Sequence, residues 1–148
     1  MLPAETWPCP EAVDQITALR TVADGGSESV IVFVYGTLRR GEKNHALLAS
    51  ATYLGAARTR PEFELIDLGG YPGMADGGSC AVLGELYLVE PNTLVSLDAL
   101  ERHPDWYLRR PIVLALGESA VAYILPRKFC AGGRAILGGD WIARDRIP

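Results

Sequence analysis

The sequence predicts one α+β domain in which strands outnumber helices. An unbroken run of β-branched and aromatic residues, Val30 to Tyr35, is typical of a central strand buried on both faces. Apolar residues alternate with polar or small ones on both sides of a turn at residues 117–119, which indicates a β-hairpin. Between them, residues 91–103 carry leucines at helical spacing. These three observations define a mixed sheet with few helices.

Composition restricts the class of protein. The chain has 148 residues, 49% of them apolar, which suits one ordinary domain with a core and a pocket. A formal net charge of -4 and a pI near 5.2 disfavour nucleic acid and anionic lipid as partners. The odd set of Cys9, Cys80 and Cys130 forms no CxxC pair and does not suit a secreted disulfide framework. With no signal-peptide pattern and no run of about eighteen apolar residues, we expect a cytoplasmic protein.

The chain divides into an N-terminal extension, residues 1–29, and one domain, residues 30–148. In the extension, a proline at position 10, apolar residues at helical spacing and a later glycine pair predict a short amphipathic helix. The domain begins with the apolar strand. Gly36 ends that strand, and Asn44 is expected to cap a short helical turn over residues 45–48. Residues 36–43 are therefore predicted to form a strand-to-helix loop.

The middle of the domain reads as further strands. Two weaker extended segments, residues 51–58 and 63–68, precede a glycine- and proline-rich stretch at 69–73 that is expected to turn sharply. A clearer strand follows at residues 81–89. The next helix is expected to be capped by Asn92 and to stop before Pro104.

The loop after the first strand raises two chemical interpretations. Its glycines resemble a phosphate-binding loop, but Gly41 is followed by Glu42-Lys43 where that motif needs Lys and then Ser or Thr. Nucleotide binding is therefore disfavoured. A glycine after a buried strand also lets backbone N–H groups converge on a carboxylate or an oxyanion, and the alternative is a plain tight turn.

Glu101 is the strongest candidate for a catalytic group. It follows Leu97 by four residues and Leu94 by seven, which places its carboxylate on the apolar face of the helix. Burial and the negative end of the helix dipole should both raise its pKa towards values useful for proton transfer. Asp98, one turn earlier, would raise it further if it lies close. The alternative is a partnered carboxylate or a helix end that faces solvent.

Other kinds of site find little support. The two histidines, His45 and His103, have no neighbours that complete a nucleophilic triad, so both are interpreted as structural or surface residues. Histidines and cysteines show no metal-ligand spacing, and no loop resembles a calcium site. We predict no metal.

Two spaced motifs carry a resemblance to a known family. Residues 33–41, FVYGTLRRG, resemble the opening motif of the γ-glutamyl cyclotransferase-like family, in its AIG2-like and γ-glutamylamine cyclotransferase branch. The run Leu97 to Glu101, with Tyr107 six residues later, is similar to the family's helix with its catalytic glutamate and following tyrosine. Shorter matches occur at residues 84–87, 122–123 and 139–141, so the resemblance extends from about Val30 to the C-terminus.

The resemblance implies a fold and a reaction. The fold would be a small mixed β-barrel flanked by helices, with the glycine loop and the glutamate helix at one cavity. The α-amine of a γ-glutamyl amine or amino acid would attack its own γ-carbonyl and release 5-oxoproline and an amine, an acyl transfer that needs no cofactor. Glu101 would carry the proton. The substrate would be bound by the residues that match the motifs and by neighbouring tyrosines, namely Tyr35, Gly36, Thr37, Leu38, Tyr107 and Tyr123.

The chain departs from the family pattern in two places. Arg102 stands where a glycine usually follows the glutamate, and the loop through Tyr71 and Met74 has no counterpart. Both differences leave the choice of substrate open. The partner is expected to be a small-molecule γ-glutamyl compound, with no nucleic acid or membrane. The alternative is a binding or regulatory module that keeps the cavity without the chemistry.

Overall fold

The computed structural model describes residues 29–144. The predicted N-terminal helix and Cys9 lie outside the described residues, and so does the end of the chain after Arg144. The described elements comprise eight strands, one α-helix and two 3₁₀ turns. They are β1 (Val30–Val34), a 3₁₀ turn (His45–Leu48), β2 (Thr52–Arg58), β3 (Phe63–Asp67), β4 (Pro72–Asp76), β5 (Leu83–Val89), α1 (Pro91–Glu101), β6 (Leu108–Val113), β7 (Ser119–Ile124), a second 3₁₀ turn (Arg127–Phe129) and β8 (Arg134–Ala135).

The strands form a five-stranded sheet in the order β2-β5-β1-β7-β6 and a three-stranded sheet in the order β4-β3-β8. In the larger sheet, β1 is central, antiparallel to β5 and parallel to β7. Phe33 packs into one hydrophobic cluster, and Val32 and Val34 pack into the other. The expected central strand, buried on both faces, is confirmed, because its side chains fill a core on each side of the sheet.

The α+β class is confirmed, and the larger sheet stays open. Its edge strands approach each other at one point, where Thr59 bridges Leu114 and the Ala115 N–H donates to the Arg58 carbonyl over 2.9 Å. Among residues 29–144 no continuous ladder joins these edges. The architecture is therefore two sheets with one α-helix rather than a closed barrel.

The turn predicted at residues 69–73 is shorter than expected, because β4 already begins at Pro72. A proline is tolerated at the first position of an edge strand, where its missing N–H leaves no ladder partner unpaired. Gly73 lies so close to Leu125 that a β-carbon there would clash with that side chain. Pro72 and Gly73, which suggested a turn, thus form the start of a strand that packs tightly against the domain.

Helix α1 positions the candidate carboxylate. It begins with Pro91 at its first turn, so the N-cap is Glu90 rather than the predicted Asn92. Leu97 is fully buried, whereas Leu100 is 37% exposed, so the apolar stripe is narrower than its spacing suggested. The helix ends at Glu101, immediately before Arg102 in the left-handed conformation (φ 56°, ψ 42°). No helix in residues 29–144 is both long and apolar enough to span a membrane.

Candidate active site

A cavity of about 440 Å³ lies between the loop after β1 and the C-terminal end of α1. All seven residues that the sequence singled out for the site line this cavity, although they come from four separate segments of the chain. They are Tyr35, Gly36, Thr37, Leu38, Glu101, Tyr107 and Tyr123. The structure therefore brings the predicted site residues together in one place.

The loop is folded by its own hydrogen bonds. The Arg39 N–H donates to the Gly36 carbonyl over 3.0 Å, and the Asn44 N–H donates to the Thr37 carbonyl over 2.9 Å. The prediction that the Asn44 side chain caps the following turn is wrong, because its Nδ2 instead donates to Thr37 Oγ1 over 2.9 Å. Within residues 29–144, the N–H groups of Gly36, Thr37 and Leu38 have no hydrogen-bond acceptor. Three donors thus remain available beside the cavity.

Gly36 is required by packing. A β-carbon at this position would lie 2.5 Å from Cγ of Pro72, the first residue of β4. Real side-chain contacts are never this short, so β4 or the loop would have to move. The close approach of β4 to the loop therefore fixes one wall of the cavity.

A charge network of residues that do not line the cavity holds the loop. Arg39 Nε lies 3.2 Å from a carboxylate oxygen of Glu85, and Arg39 Nη1 lies 2.8 Å from Asp140. The Glu85 carboxylate also accepts the Arg40 N–H and the Tyr87 hydroxyl, each over 3.0 Å. Glu85 and Asp140 belong to two of the shorter sequence matches. Their contacts show that they support the loop structurally.

Glu101 lines the cavity, and its carboxyl group has a raised pKa. Burial raises its pKa from 4.5 to about 7, because the charged form loses hydration. No described residue forms a hydrogen bond or ion pair with that carboxylate. Asp98 has other partners: it accepts the Tyr123 hydroxyl over 2.7 Å and lies 3.5 Å from Arg109 Nε. Desolvation therefore accounts for the raised pKa of Glu101.

The three tyrosines are fixed by hydrogen bonds to the protein. Tyr35 donates to the Tyr123 carbonyl over 2.6 Å and accepts the Met74 N–H over 3.2 Å. Tyr107 donates to the Pro72 carbonyl over 2.6 Å. Burial raises the pKa of Tyr35, Tyr107 and Tyr123 above the ordinary phenol value, so all three are neutral at neutral pH. The three side chains form rigid walls of the cavity. Their hydroxyl groups already donate hydrogen bonds to acceptors of the protein.

The cavity also has lining residues that the sequence did not assign to it. Asn44 was assigned only a capping role, although it adjoins the motif. Phe33 and Val34 lie in β1 and Pro72 begins β4, whereas the others lie in loops or at a helix end, where no periodicity shows which way a side chain points. The unassigned lining residues are Phe33, Val34, Lys43, Asn44, Tyr71, Pro72, Leu100, Arg102 and Trp106.

Solved structures share this fold. The uropathogenic Escherichia coli protein c4763 superposes with a TM-score of 0.68 over 80% of this chain and 95% of its own, at 22% identity, which supports the fold alone. An AIG2-like protein from Mus musculus superposes with a TM-score of 0.58 over 65% of this chain and 76% of its own, at 28% identity. The fold is therefore that of an AIG2-like domain.

Sequence comparison gives the family. The model described as gamma-glutamyl cyclotransferase, AIG2-like, matches residues 32–143, and the chain belongs to this family. A Vibrio cholerae serotype O1 protein whose name also places it among the gamma-glutamylcyclotransferases is 45% identical over 77% of this chain and 96% of its own. The gamma-glutamylcyclotransferase family protein YtfP of Escherichia coli K12 is 36% identical over 78% of this chain and 98% of its own. A solution structure of Escherichia coli YtfP superposes with a TM-score of 0.61.

Proposed function

We propose that this protein is a γ-glutamyl cyclotransferase that converts the γ-glutamyl group of its substrate into 5-oxoproline and releases an amine. The observation that carries the proposal is the position of Glu101. Its carboxylate, with a pKa of about 7, lines the same cavity as the loop whose N–H groups lack acceptors among residues 29–144. A proton carrier and a set of oxyanion or carboxylate donors are the two parts that the reaction needs.

The chemistry is an intramolecular acyl transfer. The α-amine nitrogen attacks the γ-carbonyl carbon and gives a proton to Glu101, so that a new C–N bond closes the five-membered ring. The bond from that carbon to the departing nitrogen then breaks as Glu101 returns the proton to that nitrogen. One proton leaves one nitrogen and arrives at the other, so no external reactant is consumed. A carboxyl group with a pKa of about 7 both accepts and donates protons readily near neutral pH.

The loop and the tyrosines serve to fold the substrate. A γ-glutamyl chain has several rotatable bonds, and cyclisation needs its amine within reach of its own carbonyl. The N–H groups of Gly36, Thr37 and Leu38 are suited to hold the α-carboxylate or the oxyanion that develops on the γ-carbonyl. Tyr35, Tyr107 and Tyr123 restrict the remaining space, because their own hydrogen bonds fix them.

A matched pair of substrates tests the reaction. Purified protein is incubated with a panel of γ-glutamyl amino acids and γ-glutamyl amines, and 5-oxoproline is quantified by mass spectrometry. Each compound is paired with its α-N-acetyl derivative, whose nitrogen is a poor nucleophile. We expect 5-oxoproline from at least one free-amine compound and no cyclic product from its acetylated partner. If compounds raise the melting temperature but none is converted, the protein is a binding module and the proposal is wrong.

A further inference from the structure

We propose that Arg102 forms a subsite for a carboxylate on the departing amine, so that γ-glutamyl amino acids or peptides are preferred to γ-glutamyl amines without a carboxylate. The inference rests on the proposed function, because it concerns the leaving group of that reaction. It goes beyond that function by assigning a specificity role to a residue that neither motif explains.

Arg102 lies where a leaving group would meet it. It directly follows Glu101, and both residues line the cavity. Its guanidinium carbon lies 5.8 Å from the ring centre of Trp106, another lining residue. Trp106 is itself stacked on Phe129, with ring centres 4.7 Å apart. The aromatic pair thus supports the Arg102 guanidinium at the cavity wall. The Arg102 side chain nevertheless stays exposed to an incoming ligand.

The charges around the cavity leave a cation in excess. Among the described lining residues, Lys43 and Arg102 are the cations and Glu101 is the one carboxylate. Neither cation forms a salt bridge with any residue in the range 29–144. In a bound γ-glutamyl group, the α-amine faces Glu101, and the single α-carboxylate can be held by the loop N–H groups. A second carboxylate, on the leaving group, fits the unpaired guanidinium, which binds carboxylates through two parallel hydrogen bonds.

The backbone at Arg102 gives an independent reason. Its φ of 56° lies in the left-handed region, which glycine adopts without steric cost and a long side chain does not. It is also the one non-glycine residue with positive φ in the described chain. A charged side chain at a position whose backbone favours glycine indicates a role that offsets the strain.

The experiment compares γ-glutamyl-alanine with γ-glutamyl-ethylamine, which differ only in the leaving-group carboxylate. The wild-type protein should show kcat/KM at least about tenfold higher for γ-glutamyl-alanine, the value of one good charge-assisted pair. Arg102→Gln removes the charge, and Arg102→Gly removes the side chain at a position whose backbone suits glycine. Both should bring the ratio close to one by lowering turnover of γ-glutamyl-alanine alone. Arg60→Gln, a change to an exposed arginine outside the cavity lining, should leave the ratio unchanged.

Two results would overturn the proposal: a wild-type ratio near one, or a ratio unaffected by both Arg102 variants. An unaffected ratio with an equal loss of turnover for the two substrates would mean that Arg102 holds the γ-glutamyl α-carboxylate instead. Binding of the two compounds to the Glu101→Gln protein, measured by calorimetry, separates this inference from the proposed reaction. About tenfold tighter binding of γ-glutamyl-alanine, lost on adding Arg102→Gln, supports the subsite even if no turnover is found. Equal binding of the two compounds contradicts it.

Discussion

Arg39, in the loop that borders the cavity, forms a buried ion pair with Glu85 of β5. Arg39 Nε lies 3.2 Å from Glu85 Oε2, and the two side chains are only 10% and 8% exposed. Glu85 comes from β5 and Arg39 from the loop after β1, so the pair fixes the loop to a neighbouring strand. The position of the candidate substrate-binding N–H groups therefore depends on a charge pair that makes no contact with the cavity.

Breaking this pair should destabilise the protein strongly. Glu85→Gln removes the more deeply buried of the two carboxylate charges that face Arg39 and weakens the acceptor for the Arg40 N–H and the Tyr87 hydroxyl. We expect a loss of about 3 kcal/mol in the free energy of unfolding, measured by urea denaturation. Asp76→Asn is the matched control, because its pair with Arg110 is largely exposed; it should cost less than about 1 kcal/mol. Equal losses in the two variants would show that the buried pair contributes no more to the free energy of unfolding than the exposed pair.

Gly36 should tolerate no side chain. Gly36→Ala places a methyl group 2.5 Å from Pro72 Cγ, so the loop and β4 must separate. We expect about 2 kcal/mol of destabilisation and a lower kcat/KM, because the cavity wall moves. Gly138→Ala is the control, since its β-carbon would meet nothing within 4 Å. A Gly36→Ala protein as stable and as active as Gly138→Ala would contradict the packing argument.

Glu101 should make folding stability depend on pH. Its pKa is about 7 when folded and near 4.5 when exposed, so the folded state favours the protonated form. The associated stability is fully present below pH 4.5 and is lost as pH rises through about 7. This loss amounts to about 3 kcal/mol, since each unit of pKa difference corresponds to 1.36 kcal/mol. Glu101→Gln should therefore be more stable than the wild type above pH 7, with the difference vanishing near pH 4.

Denaturation at a series of pH values measures this effect. The control is Glu62→Gln, which removes one negative charge from an exposed site. A stability difference between the Glu101→Gln and wild-type proteins that stays constant from pH 4 to 8 would contradict a raised pKa at Glu101.

The same ionisation should appear in the kinetics. As a base, Glu101 must be ionised in the free enzyme, so the slope of log kcat/KM against pH should fall by one near pH 7. The ionisation of the substrate amine, titrated separately by NMR, gives its own break at higher pH. A profile without a break between pH 6 and 8 would show that another group handles the proton.

Local pattern predicted the elements whose signal is strong. The apolar run of β1, the alternation of β6 and β7 and the spacing that places Glu101 inward all depend on neighbours along the chain. Strand β4 was not predicted, because its first residue, Pro72, suggests a turn, although β4 pairs with the preceding strand β3. Strand β8 was not predicted, because only pairing with the distant β3 makes a strand there. Asn44 was predicted to cap the next turn. An asparagine side chain can equally form a hydrogen bond within a loop, as it does here with Thr37, and the sequence does not distinguish the two roles.

Only some of the residues that line the cavity were predicted, for a related reason. The motif residues were identified by resemblance, whereas Lys43 and Trp106 lie in irregular segments whose side-chain directions no period describes. The support of the loop by Glu85 and Asp140 could not be predicted, because 46 and 101 residues separate Arg39 from these two partners. Pairs of residues this far apart in the chain produce no local pattern in a single sequence.

The most direct test of the proposed reaction replaces the proton carrier alone. Release of 5-oxoproline from a converted γ-glutamyl compound is measured for the wild-type and Glu101→Gln proteins, with circular dichroism to verify the fold and Glu62→Gln as the charge control. We predict that Glu101→Gln lowers kcat about a thousandfold with the fold unchanged, because the amide cannot accept the α-amine proton. Turnover within a few-fold of the wild type in that variant would contradict the role of Glu101.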